Sequence, residues 1–224
     1  MNENSTNPSI LGMIFSPGEQ FERIREKPKV WVPLLIVVLA SLFAGWLMVM
    51  SPDFEQEMMA GNMNGAEGME GMEGMLTFIK ISTAISIGLS PIFGVLIGSF
   101  IYWLISKATP SEVTFKQLFS MNLFITFVGT IGLLLNGSLM ALLGGSIDSM
   151  YTSIGSLVNA DGAAGGILNG FEIFGIWTTI LTAIGLRITA GWPKALAWII
   201  PIIFFLIGIG FAAIGAIMNS MAGM

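Results

Sequence analysis

The 224-residue chain contains no cysteine and no histidine. The first absence excludes disulfides, thiol catalysis and thiolate metal sites. The second removes the commonest general base and the commonest transition-metal ligand, and serine–histidine catalysis with them. Charge is also scarce. Only 10% of the residues are Asp, Glu, Lys or Arg, against ~25% in an average soluble domain. With 54% hydrophobic residues, so few charges cannot coat a soluble core. The net charge of −5 gives no basic surplus for nucleic acid. No Gly-rich stretch is followed by the Lys-Ser or Lys-Thr pair of a phosphate-binding loop.

What the chain does have is five long apolar runs, near Trp31–Met50, Ile81–Ser106, Leu118–Leu143, Asn169–Leu186 and Ala195–Met218. Each approaches the ~20 residues that cross a bilayer as a helix. The fourth is the weakest, because Gly170, Glu172 and Gly175 shorten its apolar part. The segments between the runs alternate in charge. Arg23, Arg25, Lys27 and Lys29, then Lys107 and Lys116, then Arg187 and Lys194 fall on one side. The loops 51–80 and 144–168 hold eight of the fourteen acids, and Lys80 as their single base. Under the positive-inside rule this predicts an all-α bundle of five transmembrane helices, N-terminus cytoplasmic and C-terminus external. Residues 1–29 form a cytosolic head, 30–218 the membrane domain and 219–224 an external tail. The head lacks the apolar core of a signal peptide, so the first run is expected to stay as an anchor.

No run carries a charge near its centre; Glu172 sits at an edge. Proton relays, ion-coupled transport and voltage sensing need an ionisable group inside, and an intramembrane aspartyl protease needs two aspartates there. These classes are disfavoured, and neither catalytic residues nor a cofactor are expected.

Ser16-Pro17-Gly18-Glu19 reads as a helix start, with Ser16 as cap and Glu19 closing a capping box. The helix should end near Lys27, before Pro28. Its Phe21 and Ile24, flanked by Leu11, Ile14 and Phe15, suggest an interfacial helix resting on headgroups. Loop 51–80 contains Gly65 to Met75, a Gly/Met/Glu repeat that reads as a flexible acidic spacer. The spacing of Met69, Met72 and Met75 also suits soft monovalent copper, although methionine is common throughout the chain. In the second run, Ser82, Ser86, Ser90, Gly94 and Gly98 recur every four residues. Gly208, Ala212 and Ala216 repeat the pattern in the fifth. Small residues at this period predict close helix packing in lipid. Residues 147–158 have a helical period, with Ser146 as cap and Asn159 as stop, and 159–166 read as a flexible return.

The order of these features resembles the Yip domain family of polytopic membrane proteins, named for interaction with Ypt/Rab GTPases. The resemblance rests on Phe15-Ser16-Pro17, Phe21, Ile24 and Pro28 leading into Trp31-Val32-Pro33, and on Val113-Thr114-Phe115-Lys116-Gln117-Leu118 before the third run. It covers about residues 11–218 and points to the bacterial branch. The tyrosine-and-proline signature of eukaryotic members has no counterpart, since the third run opens Met121-Asn122-Leu123-Phe124. Rab binding is therefore not implied. Some bacterial members resemble accessory proteins of ABC-type exporters. The resemblance implies a non-enzymatic protein whose partners are the lipid bilayer and other membrane proteins, ABC transporter subunits among them, with a homo-oligomer also allowed. The rival expectation is a small-solute or metal-linked channel or carrier.

Overall fold

The structure is a computed structural model that describes residues 7–62, 72–145, 150–160 and 162–222. Their regular structure is helical, apart from one isolated antiparallel bridge between Ser153 and Glu172. Two short helices, α1 (Gly12–Phe15) and α2 (Pro17–Glu26), precede α3 (Trp31–Val49). Then come α4 (Phe54–Asn62), α5 (Met72–Ser106) and α6 (Phe115–Leu143), followed by the short pair α7 (Ile154–Val158) and α8 (Gly162–Asn169). The chain closes with α9 (Ile173–Ile188) and α10 (Lys194–Ala222). Four of these, α3, α5, α6 and α10, are long and apolar enough to cross a membrane. The fifth apolar helix, α9, has 16 residues and a length of ~24 Å, short of the ~30 Å hydrocarbon thickness.

The middle of the bundle is α6, against which α3, α5 and α9 pack. Thr114 and Gln117 start it with a complete capping box, each bonding the other's backbone N–H. Glycines bring the backbones together, but not those of the repeating stripe. A Cβ at Gly45 would lie 2.6 Å from the Ala84 carbonyl oxygen, and one at Gly88 2.7 Å from Leu42 Cα. These two positions lock α3 to α5. Gly137 does the same between α6 and α3, 2.9 Å from the Ala44 carbonyl oxygen.

The bundle has a basic and an acidic end. At the basic end, Ser111 Oγ donates to the Ala190 carbonyl and Gln117 Nε2 to that of Arg25 at 2.6 Å. Thr189 Oγ1 donates to the Phe21 carbonyl at 3.1 Å. At the acidic end, the Gly145 N–H donates to Asp53 Oδ2 at 2.7 Å, and Lys80 pairs with Glu55.

Three local expectations need correction. Ser16 does not cap α2 with its side chain. Its N–H already donates to the Gly12 carbonyl at 2.8 Å, because α1 runs directly into it. Glu19 pairs with Arg23 instead of closing a capping box. The apolar side of the head is also spent on the bundle: Met13 of α1 and Phe21 and Ile24 of α2 are fully buried in the core. Leu11 and Phe15 are the head residues left exposed to a headgroup layer. Finally, the stretch read as a flexible return is largely helical, as α8. Its glycines let it lie on α10, where a Cβ at Gly166 would meet Ala212, Ala213 and Ala216 within 2.9 Å. Tertiary contact overrides the low helix propensity of glycine. The helix expected from Ser146 starts instead at Ser153, whose side chain accepts the Ser156 N–H. Residues 146–149 lie outside the described ones. The stop at Asn159 holds, in the left-handed conformation with φ 49°.

Candidate functional site

Both α5 and α9 pack against α6, and a cavity of about 420 Å³ opens between the three helices. Ser90, Gly94 and Gly98 form one wall, Asn122, Thr126, Gly129 and Thr130 the floor, and Thr178 and Thr182 the other wall. The stripe on α5 therefore faces open space. A Cβ at Gly94 meets nothing within 4 Å, and one at Gly98 reaches only Asn122 Nδ2, at 3.8 Å. Ser86 and Ser90 are exposed, and Ser82 is half-buried. The part of the stripe from Ser90 to Gly98 is thus a groove wall, with no close helix–helix approach at its two glycines. On α10, Ala212 and Ala216 do meet a neighbouring helix, α8, while Gly208 faces open space.

The groove's hydroxyls are largely oriented by their own helices. Ser90 Oγ donates to the Ile87 carbonyl, Thr130 to Thr126, Thr178 to Gly175 and Thr182 to Thr178, at 2.7–3.0 Å. Asn122 Nδ2 donates to Ser99 Oγ at 2.8 Å. With their protons used in this way, the oxygens offer acceptor lone pairs. Such a surface suits hydrogen-bond donors better than acyl chains. Tyr102 lies at the basic end of the groove, its ring 6.1 Å edge-on from Trp192 and 5.9 Å from Phe204. Trp192 Nε1 donates in turn to Ser106 Oγ at 2.8 Å. This aromatic cluster ties α5 to α10 across the groove's end.

A second polar cluster lies at the start of α9. Glu172 caps that helix, accepting the Gly175 N–H on Oε2 at 2.7 Å. Its Oε1 accepts from Thr152 Oγ1 at 2.6 Å. Asn136 Nδ2 donates to the same Thr152 oxygen at 2.8 Å, and Asn136 Oδ1 accepts the Thr152 N–H at 3.2 Å. Asn136 stands seven residues before the end of α6, ~10 Å along its axis. After α6 the chain thus folds back into the bundle, and α7 and α8 fill the space above the short α9. Of this cluster, only Glu172 stood out in the sequence, as the charge at the edge of a span. Glu172→Ala should cost about 2–3 kcal/mol, from the lost cap and the stranded Thr152 and Asn136 groups. Thermal unfolding in mild detergent measures it, and an unchanged midpoint would show the cluster to be dispensable.

Among the described residues no group of three or more His, Cys, Asp or Glu side chains is placed to hold a metal. Of the copper candidates, Met69 and the side chain of Met72 lie outside the described residues. Met75 is exposed on the first turns of α5.

The Yip1 domain matches residues 11–215, which takes in the docked head, the groove and the Glu172 cluster. The chain belongs to the Yip1 domain family. It is similar to the Yip1-domain relative "Membrane protein YknW" of Bacillus subtilis (strain 168), with 37% identity over 220 residues, 96% of this chain and 93% of that protein. No solved structure matches. As a Yip1 domain protein with apolar spanning helices, this is an integral membrane protein. The motif Val113–Leu118, which carried the resemblance, has a clear local task. It supplies the capping box of α6 and, through Gln117, the bond that holds the head.

Proposed function

We propose that this protein is a non-enzymatic membrane partner that holds a transmembrane segment of another membrane protein in the α5–α6–α9 groove and assists the assembly of that protein. The observation that carries this is a lateral groove walled by small residues and lined by hydroxyl and amide groups, with no charged group lining it. Small residues let a foreign backbone approach, and serine, threonine or asparagine on the incoming helix supplies the donors. The resemblance to bacterial Yip proteins that accompany ABC-type exporters makes an exporter's membrane subunit the first partner to test. On this reading the groove lies in the plasma membrane, and the alternation of basic and acidic segments supports a cytoplasmic N-terminus and an external C-terminus.

The absence of native cysteine makes the test clean, since a single introduced thiol reports alone. Thr126→Cys, on the groove floor, should crosslink to a different membrane polypeptide. Adding Gly94→Leu fills the groove without disturbing the fold and should abolish that product. Crosslinks only to a second copy, together with solute flux in liposomes containing the protein alone, would replace this reading with the channel.

A further inference from the structure

A second cavity, of about 520 Å³, lies at the basic end where the head meets α3 and α6. Two lysines line it, Lys29 from the linker and Lys116 from the first turn of α6. They are brought together by one hydrogen bond, in which Ser120 Oγ donates to the Lys29 carbonyl at 2.7 Å. Ser120 follows Lys116 by one helical turn, so both project from the same face of α6. The remaining lining is mostly apolar, with Trp31, Pro33, Ile10 and the buried Phe124 among it, and includes no acid. No described acid pairs with either lysine. Both are exposed, and so are Trp31, at 81%, and Val32 and Leu35 beside it on α3.

The geometry points to a binding site for the headgroup of an anionic phospholipid. Two ammonium groups converge on a pocket at the level where an apolar helix enters hydrocarbon. Tryptophan at such a level is at home in the headgroup layer. The phosphate and glycerol of a lipid sit between the lysines, and its acyl chains run down the exposed face of α3 that starts at Trp31. A free inorganic anion would find the same charges but have no use for the apolar wall. The bound lipid would also bridge the head to the membrane domain at the Lys29 linker.

The test uses the full chain in mild detergent, titrated with phosphatidylglycerol or phosphatidylcholine and read by native mass spectrometry. One phosphatidylglycerol should stay bound per chain and phosphatidylcholine should not. The double variant Lys29→Gln/Lys116→Gln should bind phosphatidylglycerol roughly thirty-fold more weakly, from ~1 kcal/mol per lysine near an anionic surface. Lys29→Arg/Lys116→Arg should retain it, and so should Lys194→Gln, which removes a base of the same end outside the pocket. Thermal unfolding separates lost binding from lost fold, and if the double variant does not fold, the comparison of the two lipids on the parent chain decides. Equal retention of both lipids, or unchanged binding by a folded double variant, overturns the proposal. So does displacement of the lipid by millimolar inorganic phosphate, which would make this a soluble-anion site.

Discussion

Phe21→Ala should destabilise the protein by about 3–5 kcal/mol, the cost of emptying a fully buried aromatic site. Phe21 is 0% exposed, although it belongs to the short helix before the first membrane span. A Cβ at Gly185 of α9 would lie 3.0 Å from the Phe21 ring and 2.8 Å from the Met121 sulfur of α6. The ring is thus wedged between α6 and α9, and the missing side chain at Gly185 makes the room. Phe15→Ala is the matched control, since Phe15 is 84% exposed. Unfolding followed by tryptophan fluorescence in mild detergent should show a large drop for Phe21→Ala and almost none for Phe15→Ala. Similar small effects at both would mean that the head is not seated on the bundle.

Gly88→Leu should cost about 3 kcal/mol, the upper range for overpacking, whereas Gly94→Leu should leave the isolated protein folded. The two glycines lie six residues apart on α5 and face opposite circumstances. A side chain at Gly88 would collide with the backbone and side chain of Leu42, the nearest atom being 2.5 Å away. One at Gly94 enters the groove. Equal loss at both positions would mean that the groove is closed in the membrane.

This pair also shows where sequence reasoning reached and where it stopped. Period and hydrophobicity located the apolar helices within a few residues, apart from α5, which begins nine residues before the expected Ile81, because a bilayer demands length and apolarity from each helix separately. The alternation of bases and acids anticipated the two ends of the bundle for the same reason. The stripe from Ser82 to Gly98 was a correct observation of small side chains, and yet among the described residues no helix approaches closely at Gly94 or Gly98. Which glycine is a contact depends on where a neighbour lies, and spacing within one helix does not contain that. Gly45, Gly88, Gly166 and Gly185 are close approaches made by distant segments. They looked no different from Gly94 or Gly208. The burial of Phe21 was hidden likewise, since an amphipathic stripe has the same pattern whether it covers lipid headgroups or a protein. Of the groove, Ser90, Gly94 and Gly98 were singled out, as part of a stripe expected to pack against a helix. That they line one space with Thr178 and Thr182 needed the structure.

The seating of the head has a consequence for synthesis. Phe21 is made before any of the spanning helices, but its carbonyl is bonded by Thr189, 168 residues later in the chain. At ~5–20 residues per second, roughly 10–30 s pass before Gly185 and Thr189 exist to receive it. For that interval Met13, Phe21 and Ile24 have no permanent cover, while α3, α5 and α6 are inserted in turn. The head therefore leaves the ribosome before the helices that cover it and is among the last segments to find its place, and a chain stopped before α9 carries an unsatisfied apolar head that quality-control proteases and chaperones can recognise.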